Sequence, residues 1–314
     1  MEFVKAGQTD QLVSRLGFGG CPMGKHGWGE VSEKNLLEAI DYAIENGVTL
    51  FDTADVYGLG ESEKLLGAGL KKRRKRAVIA TKFGVRFDSK MKAYYDNSEK
   101  WMRHSIENSL NNFGTDYIDI YQVHNLDRVT PLADVIGNLL RLKEEGKLRY
   151  IGLSNITYQD VEQIVLPKEV VSFQVEYSLA NRNNESDIRE ITKNKKLNLW
   201  SWGSLAQGLL SGKYDENSVF DEKDRRNRPE YVNFHGEKLK KNLEIIKKMK
   251  EISKITGMQL SQIAVKWIAE YMEKSVVLVG IKRVEQIKSC IDAFREPLNR
   301  EHVQMLDEIS KVYS

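Results

Sequence analysis

The sequence contains little cysteine and no long hydrophobic run. Its 314 residues include two cysteines, Cys21 and Cys290, which lie far apart in the chain. This scarcity excludes a disulfide framework and a thiolate metal site, and it fits a reducing compartment. No stretch approaches the roughly 18 uninterrupted apolar residues of a membrane-spanning helix, and the first residues lack the apolar core of a signal peptide. We therefore expect a cytoplasmic protein without a membrane span.

Several binding signatures are also missing. The chain has 48 Lys and Arg against 45 Asp and Glu, and this near-balance argues against a nucleic-acid-binding protein. The basic run 71–76 is interpreted as a solvated surface at a helix end, where cations complement the helix dipole. Two glycine-rich turns fail to complete the dinucleotide-binding fingerprint, because Pro22 and Glu63 occupy the third-glycine positions. No metal site is predicted, since the histidines lack metal-ligand spacing; they are His26, His104, His124, His235 and His302.

What the chain does have is a regular alternation of short apolar runs and amphipathic segments. After a hairpin in residues 3–14, the pattern predicts eight strands, at 16–19, 49–53, 78–82, 117–123, 150–154, 172–176, 198–202 and 276–279. It predicts helices at 33–45, 61–72, 98–112, 132–145, 158–165, 185–194, 238–255, 260–273, 283–294 and 300–312. Eight such units close a (β/α)8 TIM barrel, with an N-terminal β-hairpin and extra C-terminal helices, and we expect one domain over residues 1–314. An open doubly wound sheet is the structural alternative.

Polar residues stand at the ends of successive predicted strands. Asp52, Lys82 and His124 end the second, third and fourth strands, and Tyr57 follows Asp52 by five residues. A barrel gathers its strand ends around one mouth, so these four side chains are predicted neighbours. Lys82 would pair with Asp52 and lower the pKa of Tyr57 from about 10, which would let the phenol donate a proton. His124 could donate a hydrogen bond to a substrate oxygen, and together the four would form an electrophilic pocket for a carbonyl group.

With these residues in place, the sequence resembles the aldo-keto reductase superfamily over essentially its whole length. The segments that carry the resemblance are 50–58, 80–82, 114–124, 146–155, 173–179 and 204–214. Their order and spacing are far more specific than any one segment. The resemblance implies an NADPH-dependent oxidoreductase that reduces aldehydes or ketones to alcohols by hydride transfer.

The resemblance also implies residue roles. Tyr57 is the proton donor, Lys82 its pKa-lowering partner, Asp52 the anchor of the lysine and His124 the residue that orients the carbonyl. Ser154, Asn155 and Gln174 match positions that hold the nicotinamide carboxamide, and Trp202 stands where an aromatic ring stacks on the nicotinamide. The pyrophosphate loop is matched by Gly203, Leu205, Gln207, Gly208 and Lys213, and the adenosine end by Gly280, Lys282 and Gln286.

Two further points concern the cofactor. NADPH (and NADP+) is favoured over NADH because Lys282, Arg283 and the loop arginines Arg225, Arg226 and Arg228 could meet a 2′-phosphate. Cys290 stands where the family often has an adenine-binding asparagine, so adenine recognition differs there.

Simpler interpretations exist for several of these residues. Ser154 and Asn155 could form an ordinary helix N-cap, and Trp202 could belong to the core. A small carbonyl compound is the expected partner, bound by loops 22–30, 84–97 and 211–236, with aromatic walls from Trp28, Phe87, Tyr94 and Tyr95. The alternative function is an NADPH-binding regulatory subunit, similar to channel β subunits; the lack of a long N-terminal extension favours the enzyme.

Overall fold

Eight parallel strands form a closed barrel in the computed structural model, which describes residues 1–25 and 27–313. A short antiparallel hairpin comes first, from β1 (Phe3–Lys5) and β2 (Leu12–Ser14). The barrel strands follow in chain order as β3 (Leu16–Gly19), β4 (Leu50–Asp52), β5 (Val78–Phe83), β8 (Ile118–Val123), β9 (Leu148–Ser154), β10 (Val170–Glu176), β11 (Asn198–Trp202) and β12 (Val276–Gly280). Since β12 pairs with β3, the ring closes, and the open-sheet alternative is wrong.

Helices connect the strands and cover the outside of the barrel. They are α1 (Glu33–Glu45), α2 (Glu61–Leu70), α3 (Glu99–Phe113), α4 (Leu132–Glu144), α5 (Tyr158–Val161), α6 (Glu185–Lys195), α7 (Gly236–Thr256), α8 (Leu260–Tyr271), α9 (Val284–Asp292) and α10 (Arg300–Tyr313). Their apolar stripes pack on the strands; in α1 the buried residues are Leu36, Ala39, Ile40, Ala43 and Ile44.

Local signals explain where α1 starts and stops. The Ser32 side chain accepts a hydrogen bond from the backbone N–H of Asn35, as an N-cap does. Asn46 ends the helix, and Gly47 follows with φ of +85°, a conformation that glycine adopts without steric cost. The predicted bounds 33–45 are therefore confirmed.

The first hairpin closes one end of the barrel. Val4, Ala6 and Val13 from the hairpin belong to the same apolar cluster as residues that fill the barrel interior, among them Trp200 and Leu50. The backbone N–H of Gly7 donates to the Asn198 side chain at the start of β11. Because this end is filled, the carboxyl ends of the strands provide the mouth.

A second hairpin lies within the predicted loop 84–97. It is formed by β6 (Val85–Phe87) and β7 (Ala93–Tyr95). Phe87, Tyr94 and Tyr95 are all exposed, and the Arg86 guanidinium lies over the Tyr94 ring at 5.3 Å.

The basic run forms a 3₁₀ turn, Lys71–Arg76, directly after α2. Three of its arginines form ion pairs. Arg73 pairs with Asp41 and Glu45, Arg76 with Glu45, and Arg74 with the buried carboxylate of Asp119. The run is therefore partly a structural element and only partly a solvated surface.

No helix in the described residues is long and apolar enough to cross a bilayer.

Candidate active site

The four side chains predicted to form the reactive group lie together at the carboxyl ends of β4, β5 and β8. Lys82 Nζ is 2.7 Å from Asp52 Oδ1 and also donates to the backbone oxygen of Thr53 at 2.8 Å. It lies 5.4 Å from the centre of the Tyr57 ring. The Tyr57 and His124 rings meet edge to face, with centres 6.0 Å apart. Both Lys82 and Asp52 are buried.

Asp52 is the centre of a hydrogen-bond network. Its second carboxylate oxygen accepts from the side-chain amides of Gln122 and Gln174, each at 2.9 Å. A buried ion pair is stable only when its remaining lone pairs are satisfied, and the two amides provide this. Gln122 was not among the predicted site residues. Its signal was an amide in the fully buried strand β8, two residues before His124.

Burial controls the protonation of Tyr57. Removal of the phenol from water raises its pKa well above the ordinary value, the Cys21 thiol and Asp52 raise it further, and Arg225 opposes them. The prediction that Lys82 lowers the pKa of Tyr57 is wrong for this structure, because burial and the nearby Asp52 outweigh the charge of the lysine. The phenol therefore carries its proton at neutral pH, as a proton donor requires.

His124 is a neutral imidazole. Burial, and then the charge of Lys82, lowers its pKa from 6.5 to about 3. Its Nδ1 atom is shielded from solvent and has no hydrogen-bond partner in the described residues. A neutral ring with an unpaired Nδ1 can carry its proton on Nε2, where it would serve as a hydrogen-bond donor.

The residues expected at the nicotinamide end join this group. Ser154 Oγ donates to the backbone oxygen of Gln174 at 3.1 Å. Asn155, with φ of +54°, donates from its side chain to the His124 carbonyl and accepts from the Trp202 indole N–H at 3.1 Å. The indole is therefore held at the end of β11, partly exposed, and is not a core side chain.

The N-cap interpretation of Ser154 and Asn155 is wrong. The next helix, α5, begins at Tyr158, and its N-cap is Thr157. Thr157 forms a capping box with Asp160. Ser154 and Asn155 are therefore not required for starting this helix.

The loop after β11 folds back on itself. Positive φ angles occur at Gly203, Ala206, Gln207 and Gly208. A Cβ on Gly203 would lie 2.9 Å from Glu176 Cγ, so glycine is needed for this close approach. The Gln207 side chain donates to the Glu176 carboxylate at 3.2 Å. Leu205 precedes the turn as the residue before the 3₁₀ segment Ala206–Ser211.

Positive charge collects at the predicted adenosine end. Burial lowers the pKa of Lys282, and the nearby charges of Arg226, Arg283 and Lys213 lower it further, while Asp224 opposes them. Several cations therefore lie near a single carboxylate, and a bound phosphate would reduce the repulsion among them. This arrangement fits a dinucleotide with a phosphate at this end.

The other residues predicted for that end have structural contacts. Gly280 ends β12, and a Cβ there would approach Pro22 at 3.0 Å. The Gln286 side chain accepts from the backbone N–H of Lys282 at 2.8 Å. Cys290 is buried in the core, where burial raises its pKa to about 12. In the described residues, Gln286 and Cys290 therefore make their contacts within the protein itself.

One turn and two side chains beside the site were not assigned to the reactive group from the sequence. The turn Cys21–Gly24 packs on the backbone of Tyr57 and Gly58, so closely that a Cβ on Gly24 would lie 2.7 Å from the Tyr57 carbonyl carbon. Trp28 lies beyond this turn, and the Arg225 guanidinium stands 5.6 Å from the centre of its ring. Arg225 thus lies on the mouth side, whereas Arg226 pairs with Asp224.

Among the described residues, no group of three or more His, Cys, Asp or Glu side chains could hold a metal ion. His26, one of the histidines considered from the sequence, lies outside the described residues.

Comparisons with known proteins agree with these features. A family model described as the aldo/keto reductase family matches residues 15–311. Aldo-keto reductase YhdN of Bacillus subtilis is 30% identical, covering 98% of this chain and 93% of that protein. Aldo-keto reductase yakc of Schizosaccharomyces pombe, whose name includes NADP(+), is also 30% identical and covers 95% and 89%. The structure of glycerol dehydrogenase AKR11B4 from Gluconobacter oxydans is similar with a TM-score of 0.87 at 27% identity, covering 99% of this chain and 95% of that chain.

Proposed function

The chain belongs to the aldo/keto reductase family, and from that premise we propose that it reduces aldehydes or ketones to alcohols with NADPH, using Tyr57 as the proton donor. The observation that carries the proposal is the meeting of Tyr57, His124 and the Lys82–Asp52 pair at the barrel mouth. Membership of the family implies nicotinamide-dependent carbonyl chemistry. The choice of NADPH and the residue roles are the parts proposed.

The side chains divide the work on the carbonyl oxygen. His124 is neutral and orients the oxygen by donating a hydrogen bond, while Tyr57 delivers the proton. Lys82, fixed by Asp52 and the Thr53 carbonyl, places a positive charge beside the Tyr57 ring. The ammonium lies within cation–π distance of the ring and holds the phenol in place for proton transfer. A bound reduced nicotinamide supplies the hydride from its C4 atom to the carbonyl carbon.

NADPH is favoured by the charges at the adenosine end. The charges of Arg226, Arg283 and Lys213 act on Lys282 and lower its pKa, and Asp224 is the carboxylate that offsets them. A 2′-phosphate would relieve the repulsion among these cations, and NADH lacks that group. The S. pombe relative whose name includes NADP(+) is consistent with this choice.

The central experiment is a Tyr57→Phe variant assayed for NADPH oxidation. The substrate panel contains aldehydes, ketones and a quinone, with NADH run in parallel. We expect turnover to fall by roughly 10²- to 10⁴-fold, the usual contribution of a positioned acid. NADPH binding, followed by fluorescence titration, should stay close to wild type because the phenol does not contact the cationic cluster.

Tyr42→Phe is the matched control, since Tyr42 lies on α1 outside the barrel. Its turnover should equal that of the wild type. Wild-type turnover in Tyr57→Phe would remove Tyr57 from the proposed role. Tight NADPH binding by the wild type without consumption across the whole panel would instead favour a regulatory NADPH-binding subunit.

A further inference from the structure

Arg225 places a guanidinium beside Trp28 at the barrel mouth. Its backbone N–H donates to the Gly27 carbonyl at 3.0 Å. Its side chain crosses Gly27 so closely that a Cβ there would collide with Arg225 Cγ. Among residues 1–25 and 27–313, no acidic side chain lies within ion-pairing distance of Arg225, whereas the neighbouring Arg226 is bound by Asp224 and Tyr214.

Two hydrogen-bond donors at this place lack a strong acceptor. Arg225 Nε and Trp28 Nε1 are both shielded from solvent; Arg225 Nε has no partner within the described part of the chain, and the indole N–H has only the weakly accepting Cys21 thiol. The guanidinium stands over the Trp28 ring, so the two side chains are direct neighbours. Shielded donors are almost always paired in folded proteins. Two shielded donors side by side without a strong acceptor, one of them charged, call for an anionic group.

The position of this pair relative to Tyr57 identifies it as part of the substrate region. Cys21 begins the turn that packs on the Tyr57 backbone. The charge of Arg225 lowers the pKa of both the Cys21 thiol and the Tyr57 phenol, opposing the effect of burial on each. Arg225 therefore acts electrostatically on the same pocket that holds the proposed proton donor.

We propose that Arg225, with the Trp28 indole N–H, binds a carboxylate on the substrate, so that the preferred substrates are carbonyl compounds that carry a carboxylate away from the reacting carbon. The proposal rests on the proposed function, because it names a substrate class for that site. The forked donors of a guanidinium match the two oxygens of a carboxylate. The Trp28 ring forms the apolar wall beside it.

The test compares 2-, 3- and 4-carboxybenzaldehyde with their methyl esters. Steady-state kcat/KM is measured for wild type, Arg225→Met and Arg225→Lys. In Arg225→Met, kcat/KM for the best carboxylate should fall by about tenfold to a hundredfold, the usual value of a hydrogen bond to a charged group. The loss should appear mainly in KM, and the ester should change by less than about threefold, since it offers no charge to bind. Arg225→Lys should retain part of the preference for the carboxylate over the ester, because lysine keeps the positive charge but lacks the forked donors of a guanidinium.

Lys223→Met is the matched control, because Lys223 is an exposed cation on the same loop. Its ratio of acid to ester should equal that of wild type. Equal losses for acid and ester in Arg225→Met, together with weaker NADPH binding, would assign Arg225 to the cofactor and overturn the proposal. An unchanged ratio with unchanged NADPH binding would overturn it as well. If the wild type consumed no NADPH with acid or ester, the proposed function itself would fail, which is a separate result.

Discussion

At the scale of single residues, the site depends on groups whose protonation is set by burial. His124 is the clearest case, because its pKa is lowered from 6.5 to about 3. Above pH 6.5 the ring is neutral in the folded and the unfolded chain. As the pH falls from 6.5 towards 3, His124 binds a proton in the unfolded chain but not in the folded chain. His124 therefore contributes stability that is present above pH 6.5 and lost progressively below it.

A His124→Gln variant should lack this loss. Between about pH 7.5 and about pH 5.5, the stability of the wild type relative to the variant should fall by about 1 kcal/mol. Urea unfolding at the two pH values measures the difference. His104→Gln, at an exposed histidine on α3, serves as the control. A constant gap between wild type and His124→Gln at both pH values would contradict the prediction.

The residue scale also shows what sequence could and could not provide. Asp52, Lys82 and His124 were found because each polar residue ends an apolar strand, and strand ends must meet in a barrel. The raised pKa of Tyr57 could not be predicted from the sequence, because it depends on burial and on the Cys21 thiol, which lies in another loop. The position of Arg225 was missed for a similar reason, since no periodicity determines the course of a long loop.

At the scale of elements, the loops that follow the strands are fixed by close backbone contacts. The turn Cys21–Gly24 lies against Tyr57 and Gly58, and a Cβ on Gly24 would come within 2.6 Å of the Gly58 nitrogen. Neither neighbour is a flexible side-chain end, so the backbone itself would have to move. Such a shift would displace Tyr57 while leaving the barrel strands in place.

We therefore predict that Gly24→Ala impairs catalysis more than folding. Because a misplacement of about 1 Å at a reacting group costs on the order of 10²-fold, kcat should fall by roughly tenfold to a hundredfold. The overpacking should cost about 1 to 3 kcal/mol of stability. Steady-state kinetics and thermal unfolding measure the two effects. Gly137→Ala in α4, where nothing lies within 4 Å of the added Cβ, is the control. Wild-type kcat in Gly24→Ala would show that the contact does not position Tyr57.

Most element bounds followed from hydrophobic spacing and caps, and the exceptions have local causes. The predicted helix 158–165 ends at Val161 because Ile164 turns back to bond the Val161 carbonyl, shortly before Pro167. The hairpin of β6 and β7 lies where the sequence predicts a loop, although Val85 and Phe87 alternate with Arg86. The signal was weak because Val85 is the only buried residue of β6, and every residue of β7 is exposed.

At the scale of the whole molecule, the proposed cofactor site is assembled from distant parts of the chain. Trp202 ends β11 and the loop to Lys213 follows it. Lys282 follows β12, and its Nζ donates to the carbonyl of Trp28 after β3. None of these segments forms the site alone, so the site exists only when the barrel is closed. A ligand that binds it must therefore stabilise the entire fold by mass action.

This linkage yields a test of cofactor preference that needs no substrate. At about a hundred times its Kd, NADPH should stabilise the fold by about 2.7 kcal/mol, which raises Tm by roughly 5 °C for a domain of this size. NADH at the same concentration, if it binds about tenfold more weakly, should raise Tm by roughly half as much.

In Lys282→Gln the Tm shifts caused by NADPH and NADH should converge, because the variant removes a cation from the cluster of Lys213, Arg226 and Arg283. Lys288→Gln, an exposed lysine on α9, should keep the wild-type difference. Equal shifts by NADPH and NADH in the wild type would refute the assignment of this cluster to a 2′-phosphate, while a shift by either would still support a nicotinamide site at the mouth.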